Sequence, residues 1–426
     1  MTAQAFTGTR GFLARYEGLK DHLPGDPMLR ASAAEAFRRL GVPGGTAGRR
    51  DEAWKYTSLR ALAEASFSEP LTLLQTTDNA ALASRVPAIG ARILFIDGRY
   101  QPDLSDPPPG IGFRRFADHP CFGTLARPDR DPLVALNTML AEDGVCIDVP
   151  PGMDAGIVHL ISIATQGAGR STAFHPRHLV RLGTEARLTL VETSFGDGAY
   201  LHNPVTELHI GNGASLDHVR LRGESEAAFH LSTTYAEICG SGRYDSFVLT
   251  TGARVSRTET HVRLAEPDAS VHLNGAQLLH GVQHADFTAV VRHDAPRCAS
   301  RQAVKNVLAG RSRAVFQGRI EVARVAQKTD GYQMSQSLLL SPDAEIDTKP
   351  ELEIFADDVK CSHGATVGEL DQDQLFYLRT RGVPEPEARE ILVRAFLHEA
   401  LQLVANEPAR ALLEDAVAHW WEGQAA

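Results

Sequence analysis

Residues 341–370 read SPDAEIDTKPELEIFADDVKCSHGATVGEL, an acidic segment that runs into a Cys-Ser-His triplet just before the chain turns helical. Cys361 and His363 stand two apart in extended sequence, so a strand would turn both side chains to one face. A thiolate and an imidazole on one face can hold a metal ion or a cluster.

Upstream, from about 155 to 368, the chain is a succession of short β-rich runs, among them 156–163 (GIVHLISI), 187–192 (RLTLVE) and 314–320 (AVFQGRI), with little helical periodicity. A loose repeat lies within it: 183–188 (GTEARL), 211–216 (GNGASL), 267–271 (PDASV) and 342–346 (PDAEI) each place turn residues, then Ala, then an apolar residue two further on. Gly183 and Gly211 are 28 positions apart, and Gly240 and Gly242 follow at a similar step. A turn-then-strand unit with a period in the twenties is what stacked solenoid coils require, since each coil covers its neighbour's apolar edge. A β-sandwich with similar turns is the alternative, but the strands continue past the usual size of such a domain.

Downstream of Gly368 the pattern becomes helical. Leu375 and Leu378 share one face of a segment stopped by Gly382 and Pro384, a second helix from about Glu385 repeats Leu392, Phe396 and Ala400, and a third opens at Pro408 with Leu413, Val417 and Trp421 aligned. These faces must cover something, either the end of the β unit or another protein. At the other end, the chain to about residue 85 also reads helical: 31–40 (ASAAEAFRRL) is a strong helix former stopped by Gly41 and Pro43, and 50–59 (RDEAWKYTSL) is an aromatic cluster that anchors this region to the main body. Four regions result: an N-terminal helical domain at 1–90, a transition segment at 91–154, a β core at 155–368 and a C-terminal helical domain at 369–426.

The totals exclude several classes. Formal net charge is −10 over 426 residues and no long Lys/Arg block occurs, which disfavours nucleic acid. No apolar run is long enough to cross a bilayer, and the opening residues lack an apolar region followed by a small-residue cleavage site; a short Thr- and Arg-bearing start gives only a weak resemblance to an organelle leader. A cytoplasmic protein away from membranes is expected. Five cysteines, at 121, 146, 239, 298 and 361, form no close pair, which predicts unpaired thiols in a reducing compartment and no self-contained zinc or four-Cys cluster site. Any cluster needs ligands from elsewhere.

Cys361 and His363 are the candidate site. An imidazolium beside a thiol favours the thiolate, whereas nearby Asp357 and Asp358 raise its pKa, so the sign of the net shift stays open. Histidines such as His159, His175, His178, His202, His209, His218, His272, His280, His284 and His293 are scattered through strand-rich sequence, and most read as turn or solenoid-surface residues. The phosphate loop, the GxSxG elbow and the HExxH helix do not occur. Glu351, Glu353, Asp357 and Asp358 supply carboxylates for a second reading, a β-helix carbohydrate lyase or hydrolase.

The run from Ser341 to Gly382, with AEIDTKPELEIFADDVKCSHGATVG followed by LFYLRTRG, resembles the C-terminal signature of the SufB/SufD family of iron-sulfur cluster assembly proteins. The 52–57 motif (EAWKYT) resembles that family's short aromatic motif, so the likeness spans nearly the whole chain. It is closer to the SufD branch, since no N-terminal cysteine cluster is present. Ser337 stands where many relatives have Asn before the triple leucine. The resemblance implies a right-handed parallel β-helix core flanked by N-terminal and C-terminal helical domains. It implies a non-catalytic scaffold that pairs with a SufB-like paralogue and binds a SufC-like ATPase through its C-terminal helices. Cys361 and His363 match residues at the SufB interface where a transient iron-sulfur cluster forms, with iron as the metal. A homodimer in the absence of SufB, a reduced flavin in the assembled complex, and a purely structural role beside SufB are left open by it.

Overall fold

The turns of the sequence repeat recur in space as a stack of left-handed backbone positions. In the computed structural model, which describes residues 7–44, 52–67, 84, 86, 89–116, 118–165 and 171–425, Glu185, Gly213, Ser241, Asp268, Arg297 and Lys328 all have positive φ, and each lies just before a strand. The amide of each donates to a carbonyl of the next turn along: Glu185 to Asn212 at 2.8 Å, Gly213 to Gly240 at 2.9 Å, Ser241 to Pro267 at 3.1 Å and Arg297 to Gln327 at 2.9 Å. The turns are therefore hydrogen-bonded to one another as the strands are, which satisfies backbone groups that a loop would expose. Non-glycine residues hold most of these left-handed positions, so glycine marks the turns of only some coils.

Between the turns, strands alternate between two sheets and make a parallel β-solenoid of about 8 turns. The first, ten-stranded sheet runs from a hairpin formed by Ala91–Ile96 and Arg99–Tyr100 to Val359–Gly368; the second runs from Gly112–Arg115 to Glu345–Ile354. Within 91–154, Ala91–Ile96 pairs in parallel with Asp154–Ala164, and Gly144–Val149 with Arg177–Leu182, so strands of that segment enter both sheets. One large apolar cluster, including Val158, Leu188, Leu216, Tyr244, Val271, Phe287 and Phe316, fills the space between the sheets.

Helices flank the solenoid. At the N-terminal side, Gly8–Leu19 and Pro27–Leu40 pack with Pro132–Leu140 against Ala173, Leu201, Phe229 and Leu231. Pro27–Leu40 ends at Gly41, as the sequence predicts, and Asp26 caps its start. Buried Arg30 donates to the carbonyls of Thr138, Met139 and Ala141, which satisfies orphan carbonyls at the end of Pro132–Leu140. The part of the expected helical region at 68–83 lies outside the described residues, as does 1–6 at the start of the leader-like run.

The C-terminal helices Gln372–Thr380, Glu385–Leu401 and Glu407–Ala425 do not cap the solenoid end. Glu385–Leu401 and Glu407–Ala425 lie along the outer face of the first sheet, over Phe247, Leu249, Ala276, Leu278, Val307 and Leu338, and Gln372–Thr380 packs on Glu385–Leu401. Their buried stripe is Val393, Leu397, Ala400, Leu401, Leu413 and Val417; Leu392, Phe396 and Trp421 sit at its margin, one position round from the predicted face. Among the described residues, no helix is long and apolar enough to cross a membrane.

Candidate functional site

The terminal coil consists of Glu345–Ile354 and Val359–Gly368, the last strands of the second and first sheets. Cys361 pairs in register with Gly331, and His363 with Gln333, across the parallel ladder. These rows continue as Gly331, Ser300 and Val271, and as Gln333, Gln302 and Leu273. Val271 and Leu273 belong to the interior cluster, so strand alternation directs Cys361 and His363 toward the solenoid axis. The predicted common face is an inward one. Because no further coil follows, His363 is exposed and Cys361 half-buried at the open end.

Cys361 borders a small apolar cluster of Ile320, Val322, Ala326 and Ala356. Burial raises its thiol pKa above the ordinary value, the backbone of Gly331 opposes that rise, and Asp330 adds to it. The sign left open by sequence is thus upward. The acid that contributes is Asp330 on the neighbouring strand; Asp357 and Asp358 are exposed in the preceding turn. A neutral thiol is a poor ligand until a metal or a cationic partner draws off its proton.

Behind His363, sequence reasoning passed over Gln302 and Gln333. Both are fully buried, and both ends of each amide lack a hydrogen-bond partner. A Cβ on Gly318 of the facing sheet would stand 2.7 Å from Gln302 Oε1 and 2.9 Å from Gln333 Nε2, so glycine is required for the amides to fit. The signal was positional only, a polar residue recurring near the coil period on an inward row.

The carboxylates of the carbohydrate reading are otherwise engaged. Glu353 pairs with Arg319 at 2.7 Å and Glu351 with Lys349 at 3.4 Å, on the outward face of the edge strand. The aromatic motif anchors the N-terminal region as predicted. Trp54 lies over the Arg257 guanidinium, 4.1 Å from its ring centroid, and the Thr57 hydroxyl bonds Asp286 and lies 3.0 Å from His284 Nε2.

Two expectations are corrected. Cys121 and Cys146 form a disulfide, their Cα atoms 6.3 Å apart; the antiparallel pairing of Gly112–Arg115 with Gly144–Val149 folds the intervening chain back, which spacing along the sequence does not disclose. Cys239, Cys298 and Cys361 are free. Many of the histidines, moreover, are not on the surface: His159, His178, His202, His218 and His293 are buried within strands, and His175 is buried in the connection between Thr172–Phe174 and Arg177–Leu182. Hydrogen bonds offset their burial, as between His159 and Thr193 at 2.9 Å, His218 and Glu192 at 3.0 Å, and His293 and Ser300 at 2.9 Å. A further group, Asp131, Glu259 and His261, is committed to structure: Asp131 caps Pro132–Leu140, and Glu259 pairs with Arg257 and His261.

Known proteins resemble the chain over most of its length. Residues 163–396 match the family model described as SUF system FeS cluster assembly, SufBD core domain, and residues 116–156 match the SufBD protein N-terminal region. The chain is 32% identical over 87% of its length to the iron-sulfur cluster assembly protein SufD of Escherichia coli strain K12, covering 87% of that protein. It is 31% identical over 96% of its length to the chloroplastic protein ABCI7 of Arabidopsis thaliana, covering 90% of it. An iron-sulfur cluster assembly SufBD family protein of Synechocystis is 29% identical over 88% of the chain and 86% of its own length.

Proposed function

Since the chain belongs to the SufBD family of SUF-system iron-sulfur cluster assembly proteins, we propose that it acts there as a non-catalytic scaffold subunit whose Cys361 and His363 supply half of a nascent-cluster site. The other half comes from a SufB-like paralogue. The observation that carries this reading is the placement of both side chains on inward rows of an uncovered terminal coil, between two unpaired sheet edges. Ile354, Phe355 and Val367, all exposed, give that end an apolar surface for a partner.

A paralogue with the same solenoid would continue the ladders across this end, enclosing Cys361 and His363 and adding its own ligands. That division explains why this chain's free cysteines do not cluster. Iron and sulfide are substrates here. This chain's residues hold and orient: Gly331 leaves the space beside the thiol open, and Gln333 backs His363.

A SufC-like ATPase docks on the C-terminal helical domain in this reading. Phe376, Tyr377 and Ile391 are exposed on those helices and Leu403 in the turn between the last two, whose opposite side is fixed to the first sheet. Nucleotide-driven movement can shift the terminal interface only if the ATPase binds the two arrangements with different affinity. A homodimer formed without the paralogue would use the same end. Reduced flavin belongs to the assembled complex, with no residue of this chain assigned to it. Cytoplasmic residence is part of the proposal; a chloroplastic relative shows that the family is not confined to one compartment.

The test is co-expression of this chain with its paralogue and ATPase. Cys361→Ser and His363→Ala should leave the complex intact by gel filtration while iron and sulfide content falls at least about tenfold, on the scale of losing a metal ligand. Normal cluster yield in both variants removes the site assignment and leaves a purely structural partner.

A further inference from the structure

We propose that His202, Glu224 and His230 form a buried binding site for one divalent transition-metal ion of the zinc class. The site stands apart from Cys361 and His363. His202 lies in Tyr200–His202 and His230 in Phe229–Ile238, register partners in successive coils with ring centroids 4.8 Å apart. Glu224 follows the strand Ser215–Gly223 of the other sheet. Its Oε1 accepts from His230 Nδ1 at 2.5 Å and lies 3.6 Å from His202 Nδ1.

One ligand atom from each residue lies within 4.8 Å of the others. A tetrahedral ion with bonds of about 2.1 Å spaces its ligand atoms about 3.4 Å apart, so side-chain shifts of an ångström or so would suffice. All three residues are at most 4% exposed. The second carboxylate oxygen of Glu224 and the Nε2 atoms of both rings have no hydrogen-bond partner. A buried carboxylate with an unfilled oxygen calls for a cation. The adjacent Arg222 does not supply it, being bound to Glu192 at 2.6 Å and Ser194 at 2.8 Å. Two nitrogens and one carboxylate oxygen suit zinc, with water in the fourth position. The ion would pin two successive coils and the turn between the sheets.

The test is metal analysis of the full-length chain made in zinc-supplemented medium and purified without chelator. Cys361→Ser with His363→Ala serves as the parent, so that zinc at the terminal coil cannot be counted. The parent should carry about one zinc per chain, and adding Glu224→Gln or His202→Ala should reduce this to about a tenth or less. The cobalt-loaded parent should show d–d bands without thiolate charge transfer, a readout that does not require either further variant to fold. Less than about a tenth of an equivalent in the folded parent, full metal retention by folded Glu224→Gln, or a thiolate band would overturn the proposal and leave the three residues as a hydrogen-bonded core cluster.

Discussion

Gly331 faces Cys361 across the ladder between the last two strands of the first sheet, and a Cβ built on Gly331 would stand 3.3 Å from the Cys361 sulfur. The same Cβ would lie 3.2 Å from Ile320 Cδ1. The thiol, half-buried at the open end, thus has free space beneath it because its register partner has no side chain. Gly331→Val should lower the rate at which iodoacetamide alkylates Cys361 by about tenfold while leaving the solenoid's circular dichroism unchanged, the effect of filling a tight contact beside the sulfur. An unaltered rate would show that reagent reaches the thiol from another side.

The Cys361 thiol itself should titrate high in the isolated chain. Burial raises its pKa and Asp330 adds to the rise, so the alkylation rate should climb with pH through a midpoint above the ~8.5 of a free thiol. With the SufB-like partner bound, cationic groups or iron at the site would bring that midpoint down. A midpoint at or below the free-thiol value in the isolated chain contradicts the neutral, half-buried state.

Most of the architecture was legible in the sequence, and for a physical reason: solenoid coils repeat a local unit, so turn residues and strand alternation recur at a readable step. The inward direction of Cys361 and His363 was not legible, because alternation fixes a common face without saying which one. Register against Gly331 and Gln333 decides it. The buried histidines were misplaced for the opposite reason. Polar residues such as His159, His218 and His293 look like surface until their partners Thr193, Glu192 and Ser300 are known, and these lie on other rows of the solenoid. The Cys121–Cys146 bond likewise depends on a fold-back that local sequence does not encode.

Those histidines make stability depend on pH. Burial lowers His159, His178, His218 and His293 to about 4 in the folded chain. Unfolded, each takes a proton near pH 6.5, so its contribution is fully present above that value and is lost as pH falls toward 4, by up to about 1.4 kcal/mol per pH unit per group. Glu259-coupled His261, raised, and Asp131, raised to about 6, act in the opposite sense. The larger set prevails, and the urea midpoint should drop between pH 7 and pH 5. A flat midpoint over that interval would mean that these side chains are not buried neutral.

The N-terminal anchor should fail in two distinguishable ways. Arg257 is buried between Asp286 at 2.5 Å and Glu259 at 2.8 Å, beneath Trp54. Removing one acid leaves the guanidinium undercompensated, so Asp286→Ala should cost about 3 kcal/mol in urea unfolding. Trp54→Ala removes aromatic packing and the cation–π contact, about 2 kcal/mol or more, and should also speed proteolytic cleavage N-terminal to the solenoid. Equal proteolysis of Trp54→Ala and wild type would show that this segment is held by other contacts.

Pro350 bears on partner choice at the open end. It sits in Glu345–Ile354, the edge strand of the second sheet, in register with Gly318. Proline has no amide hydrogen, and in sheets it is tolerated where that position faces away from the neighbouring strand. The missing donor therefore falls on the free edge, where it interrupts the row that another strand would read. A partner must place a residue there that needs no donor, which favours one matched edge over indiscriminate pairing. Pro350→Val restores the donor and should increase self-association of the isolated chain in sedimentation equilibrium at micromolar concentration, while weakening preference for the SufB-like paralogue in a competition pull-down. If the variant stays as monomeric as wild type and its partner preference is unchanged, the edge is guarded by the charged outward row of Lys349, Glu351 and Glu353 instead, and reversing those charges becomes the decisive substitution.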